Sequence, residues 1–150
     1  MKELKESIDS RIIDFYISTT DSSSNKDVCY YASYNLPAFI YTLGKENWPQ
    51  FKKIYHKLAK FNDGRIKKTL SHSIHELAQI LGPEITEEDL VPVIEKFLKD
   101  QVSDIKVGAL KNLHIFLAEI APENRSDFIR YIVDTYNEAQ YDWRTKLVIA

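Results

Sequence analysis

The sequence predicts an all-α protein, a right-handed α-α superhelix of about three to four helical pairs stacked as one solenoid segment. Three observations predict it. Apolar residues recur at three- and four-residue steps along nearly the whole chain. Only 4 glycines and 5 prolines punctuate 150 residues, too few for the tight turns of a many-stranded sheet. The apolar pattern also returns on itself at steps of 38 and 39 residues, from Val28 to Ile66 to Ile105 to Trp143.

Leu4, Ile8, Ile12, Phe15 and Tyr16 put an apolar stripe on one side of a first helix, expected over residues 1–18. The polar run Thr19 to Asn25, whose side chains hydrogen-bond locally, predicts a linker over 19–25, with the repeats filling 26–150. A second helix is expected from Lys26 to Leu43, ending at Gly44 in the left-handed cap position. Asn47 is expected to cap a third, with Trp48 and Pro49 in its first turn, where proline loses no needed hydrogen bond. That helix carries Phe51, Ile54, Tyr55 and Leu58 and breaks at Asn62-Asp63-Gly64.

The fourth, with Ile66, Leu70, Ile74, Leu77 and Leu81, stops at Gly82-Pro83. Thr86 with Asp89 reads as a capping box in which Asp replaces Glu or Gln, opening a helix with Leu90, Ile94, Phe97 and Leu98. Ile105, Leu110, Leu113, Leu117 and Ile120 form the next, stopped at Pro122, followed by one with Phe128, Ile129, Ile132 and Val133. A last segment begins near Asp142 and is still apolar at Ala150, so the chain is expected to be a piece of a longer array.

The repeat registers in several rows. Leu36, Ile74 and Leu113 align, as do Phe39, Leu77 and Phe116, and then Ile40, Ala78 and Leu117. Two helices per unit, slightly under the ~40–47 residues usual for HEAT and armadillo repeats, fit an armadillo-like stack of HEAT units. A polar pattern recurs with it: Asp100 before Ile105-Lys106, Glu138 before Trp143-Arg144, and more weakly Asn62 before Ile66-Lys67. An acid closing one helix and a base opening the next can bridge neighbouring units. Lys67, Asp100, Lys106, Glu138 and Arg144 are therefore read as a structural polar ladder.

Composition narrows the functions. A net charge of −2 with 28% charged residues gives no general attraction to nucleic acid. Cys29 is the only cysteine, so no internal disulfide forms, and the charged N-terminus lacks a secretory signal's apolar run. No membrane span is expected, and the cytosol or nucleus is the expected compartment. No nucleophile, base and orienting group converge in the sequence, so no enzyme, cofactor or metal is expected.

His72 and His75, beside Glu76, have the three-residue step of some metal sites, and His114 falls one unit after His75. They read better as surface residues in equivalent slots. Cys29, in the slot of Lys67 and Lys106, reads as inert. The basic cluster Lys52, Lys53, Lys57, Lys60, Arg65, Lys67 and Lys68 reads as a solvated face balanced by Glu84, Glu87, Glu88 and Asp89, rather than as a phosphate-binding surface. Tyr30, Tyr31, Tyr34, Tyr41, Trp48, Tyr141 and Trp143 supply aromatic area divided between core and interface.

Three segments carry a resemblance: Tyr34 to Trp48, Ser73 to Asp100 and Val107 to Leu117. Through them the stretch from Tyr34 to Ala150 resembles the HEAT-repeat regulatory subunits of serine/threonine protein phosphatase 4, of the regulatory subunit 1 kind, relatives of the phosphatase 2A scaffold. Residues 1–33 carry no such resemblance. It implies a non-catalytic scaffold that binds a phosphatase catalytic subunit through the turns inside each repeat. Here those turns are Asn62-Asp63-Gly64-Arg65, Gln101-Val102-Ser103-Asp104 and Gln140-Tyr141-Asp142-Trp143. Trp143 is the best anchor by residue type, but its alignment with Ile66 and Ile105 favours a core position. An adaptor for transport or cytoskeletal cargo is the alternative, and a nucleic-acid-binding HEAT-like protein a weaker one.

Overall fold

The computed structural model describes residues 2–23, 25–138 and 142–149, with side chains from residue 10 onward. The side chains of Leu4 and Ile8, and all of Gln140, Tyr141 and Ala150, lie outside the described residues. Helix α1 spans Lys2–Ser22 and α2 spans Lys26–Leu43. The serine- and threonine-rich run does not end α1 at residue 18. Thr20 Oγ1 donates to the Tyr16 carbonyl at 2.7 Å, and Ser22 Oγ to that of Ser18 at 2.6 Å. The hydroxyls bond back along the helix instead of competing with it. The connection shrinks to residues 23–25, where Asn25 Oδ1 accepts from the Asp27 amide at 2.9 Å and caps α2.

Gly44 closes α2 with φ 92°, and its N–H donates to the Ile40 carbonyl at 2.9 Å; Gly82 does the same one unit later, with φ 82° and a 2.9 Å bond to Ala78. Both φ values are positive, where a side chain would be strained, although ψ is extended rather than left-handed helical. Helix α3, Trp48–Ala59, follows a 3₁₀ turn at Lys45–Asn47. Asn47 does not cap it. Its backbone is already helical, and its Nδ2 donates instead to the Leu43 carbonyl at 2.7 Å, satisfying the end of α2. Asp63 caps α4, Gly64–Leu81, by accepting from the Arg65 amide at 2.9 Å.

Next come α5, Pro83–Ile85, a π-helical turn at Thr86–Leu90, and α6, Val91–Leu98, which run on as one bent rod. The Thr86–Asp89 capping box is therefore a misreading. The rod starts at Pro83, whose missing N–H costs nothing there, and Thr86 is buried with its hydroxyl donated to the Ala78 carbonyl at 3.3 Å. Helices α7, Ser103–Lys111, and α8, Leu113–Ala118, are halves of one helix bent at Asn112. Helices α9, Pro122–Glu138, and α10, Trp143–Ile149, complete the described chain, and no strand occurs among the described residues.

The result is a HEAT-like stack of helical pairs in two layers: α1, α3, α5–α6 and α9 in one, α2, α4, α7–α8 and α10 in the other. Within units α1 packs on α2, α3 on α4, α6 on α7 and α9 on α10; between units α2 meets α4, α4 meets α7, and α7 meets α10. Leu36, Ile74 and Leu113 are buried at equivalent points, as are Leu43, Leu81 and Ile120. Each such side chain contributes roughly 1.5–3 kcal/mol when fully removed from water, and the burial is completed by the neighbouring unit. Gly108 permits the approach of α7 to α4: a Cβ there would land on Ser71 Oγ and the His72 ring.

One row departs from its register. Ile66 and Ile105 are buried and Val28 is half-buried, but Trp143 is 67% exposed. The expected core position for Trp143 is wrong. Asp142 fastens the start of α10 to Ser103 of α7, and Thr145, 1% exposed, is the residue turned inward.

Candidate protein-binding ridge

Every unit passes from its first to its second helix through a short polar segment, and stacking sets these segments along one edge of the molecule. The second unit contributes Asn62, Asp63 and Arg65, the third Gln101, Ser103 and Asp104, and the fourth Asp142 and Trp143. Most carboxylates on this edge are engaged within the fold. Asp63 lies 3.7 Å from Lys26 Nζ and 3.6 Å from Arg65 Nε. Burial pushes its pKa up, but the Arg65 amide and guanidinium and the Lys26 charge outweigh this and hold it below the usual carboxylate range. Arg65 reaches back to Asp27 at 3.2 Å and stands 5.6 Å from the Tyr30 ring centre.

Asp100 accepts from the Val102 amide at 3.0 Å and pairs with Lys67 at 3.3 Å. Asp104 pairs with Lys68 at 2.8 Å and with Arg144 at 3.7 Å, and the Lys68 hydrogen bond holds its pKa down. Asp142 accepts from the hydroxyls of Ser103 and Thr145, the latter at 2.7 Å, and from the Arg144 amide at 3.1 Å. Those bonds, Ser103's first, push its pKa down to about 2.

The inter-unit rungs on this edge are thus Lys26–Asp63, Asp27–Arg65, Lys67–Asp100, Lys68–Asp104, Asp104–Arg144 and Ser103–Asp142, with Lys57–Asp21 at 3.0 Å beside them. Two residues read as rungs stand differently. Lys106 is half-buried and Glu138 exposed, and neither makes an ion pair or side-chain hydrogen bond among the described residues. Arg144 takes its acid from Asp104, which α7 places nearer. What remains accessible on the ridge is Asn62, Arg65, Gln101, Val102, Trp143 and Arg144. The Arg144 guanidinium is 5.6 Å from the Trp143 ring centre, an amphipathic pair suited to anchoring a protein surface.

A family model described as the protein phosphatase 4 regulatory subunit 1 middle domain matches residues 32–135, from within α2 to within α9. The chain belongs to this family. The serine/threonine-protein phosphatase 4 regulatory subunits 1 of Homo sapiens, Mus musculus and Rattus norvegicus are each 32% identical to it over 152 residues. That similarity covers 97% of this chain, so it reaches into the first 33 residues, and the chain spans 16% of each relative's length.

The other candidate groups of this family member are dispersed. The basic cluster divides in two: Arg65, Lys67 and Lys68 belong to the ladder, while Lys52, Lys53, Lys57 and Lys60 share one groove, where Lys52 pairs with Asp89 at 2.6 Å and with Glu88 at 3.0 Å and Lys57 with Asp21. Burial pushes the pKa values of His72 and His75 down, and no three metal-ligating side chains converge among the described residues. Cys29 is buried and burial pushes its thiol up, away from reactivity. No described helix is long and apolar enough to cross a membrane.

The rung residues the sequence pattern does not single out as such are Lys26, Asp27 and Lys68. Their signal is present as opposite charges about one repeat apart, with Asp63, Arg65 and Asp104.

Proposed function

We propose that this chain is a segment of a non-catalytic scaffold, part of the regulatory subunit of a phosphatase 4/2A-type serine/threonine phosphatase, and that its ridge of turns holds the catalytic subunit. The observation that carries the reading is the family match over residues 32–135, backed by relatives whose printed names are phosphatase 4 regulatory subunits. The ridge supports the mode of binding. Its acids are paired within their own rungs, so the exposed amides, one tryptophan and the outer faces of the paired arginines can meet a partner without a buried unpaired charge. Work in the cytosol or nucleus accords with a lone buried cysteine.

Capture of the phosphatase 4 catalytic subunit on the immobilised chain tests both parts. The chain retains it, and Trp143→Ala weakens retention by about 2 kcal/mol, the loss typical of an exposed aromatic anchor. Failure of the unaltered chain to retain it counts against the whole reading. Undiminished retention by Trp143→Ala counts against the ridge alone.

A further inference from the structure

The layer that holds α3 and α6 carries a charged feature the ridge does not use. Between these helices lies an open groove of about 730 Å³, lined by lysines, prolines, His56 and Val93, with no carboxylate among its lining residues. Lys52 and Lys57 on its wall are already paired, with Asp89 and Asp21. Lys53, Lys60 and Lys96 are exposed and make no ion pair among the described residues. His56 is half-buried beneath them. Burial pushes its pKa down, Asp89 pulls it up, and the charges of Lys52, Lys60 and Lys96 push it down again. An uncompensated positive field therefore stands here on a chain whose net charge is −2.

The rest of the lining selects among anions. Pro49, Pro92 and Val93 give a stiff, shallow apolar floor. No phenylalanine, tyrosine or tryptophan lines the groove for a nucleic-acid base to stack on, and its one imidazole, His56, is half-buried beneath the lysines. Nor does a bulky exposed apolar side chain stand ready to insert among lipids. A chain with carboxylates on alternate residues meets both features, its acids on the lysines and its backbone over the proline rings. We propose that the α3–α6 groove docks an extended, carboxylate-rich peptide segment of a protein partner, separately from whatever the ridge of turns holds.

Fluorescence anisotropy of the full 150-residue chain with a labelled peptide of alternating glutamate and serine tests this. Two variants of equal charge change are compared, both checked for helicity by circular dichroism. One is Lys53→Glu/Lys60→Glu/Lys96→Glu in the groove, the other Lys45→Glu/Lys111→Glu/Arg130→Glu elsewhere. The unaltered chain binds, more weakly as salt rises, and the groove variant binds roughly tenfold or more weakly than the control variant. If the triple groove variant loses helicity, Lys53→Glu and Lys96→Glu are compared singly and each must still weaken binding. No binding at low ionic strength, equal loss in both triple variants, or tighter binding of an oligothymidylate or of phosphatidylserine vesicles overturns the proposal.

Discussion

Asp89 shows how much one side chain can be asked to hold. It is 4% exposed, accepts the Trp48 indole N–H at 2.6 Å and meets Lys52 Nζ at 2.6 Å, so it joins the third unit to the second. Removing it strands a buried indole donor and takes a partner from a half-buried ammonium, whereas deleting one exposed ion pair costs at most ~1 kcal/mol. Asp89→Ala is therefore expected to lower stability by roughly 2–4 kcal/mol in urea unfolding. A loss below ~1 kcal/mol would mean that water replaces the carboxylate without penalty. From sequence alone Asp89 looked like half of a capping box. Its actual role depends on a π-helical turn that rotates it toward α3, and nothing in local composition announces such a turn.

At the scale of elements, Asp142 governs how α10 is seated. Its pKa in the fold lies at about 2, below the ordinary aspartate value of 3.8. A carboxylate held lower in the folded state than in the unfolded one adds stability above the unfolded value, and that contribution is lost as pH falls through the folded one. The α10 contact is accordingly expected to weaken from about pH 4 toward about pH 2. Asn can still cap a helix but does not titrate, so Asp142→Asn should flatten the acid unfolding curve, followed by Trp143 fluorescence, across that window. An identical slope in both chains would remove Asp142 from the account.

The helices and their order were legible because 3.6-residue periodicity survives any context. Helix ends were less so. Asn47, Thr20 and Ser22 have the composition of caps and linkers, yet the structure uses them to bond carbonyls behind them, and only Asn25 of that polar run caps a helix. Trp143 was misplaced for a related reason: repeat alignment fixes a position along a helix but not the helix's rotation, which here is set by Asp142 and Ser103. The turns that form the ridge were readable, since glycine and polar breaks mark them. Which of their side chains are free was not, because pairing partners lie a full unit away.

Across the whole molecule, polar connections between units are unevenly spread. The turn edge carries the ladder, while the opposite edge has few links, chiefly Trp48 and Lys52 to Asp89 and Glu88, and Glu87 to the start of α9. A layered body stitched on one margin and merely pressed together through its middle behaves like a bow held by its string. Salt slackens the string, since at 1 M the screening length is only ~3 Å, but leaves the apolar contacts intact. The units should then fan apart on that margin, so the radius of gyration from small-angle scattering should grow with ionic strength at constant helicity. A radius indifferent to salt would mean the margin bears no tension. If it does grow, the curvature of the stack, and with it the spacing of the turns a partner must span, is tuned by the ions around it.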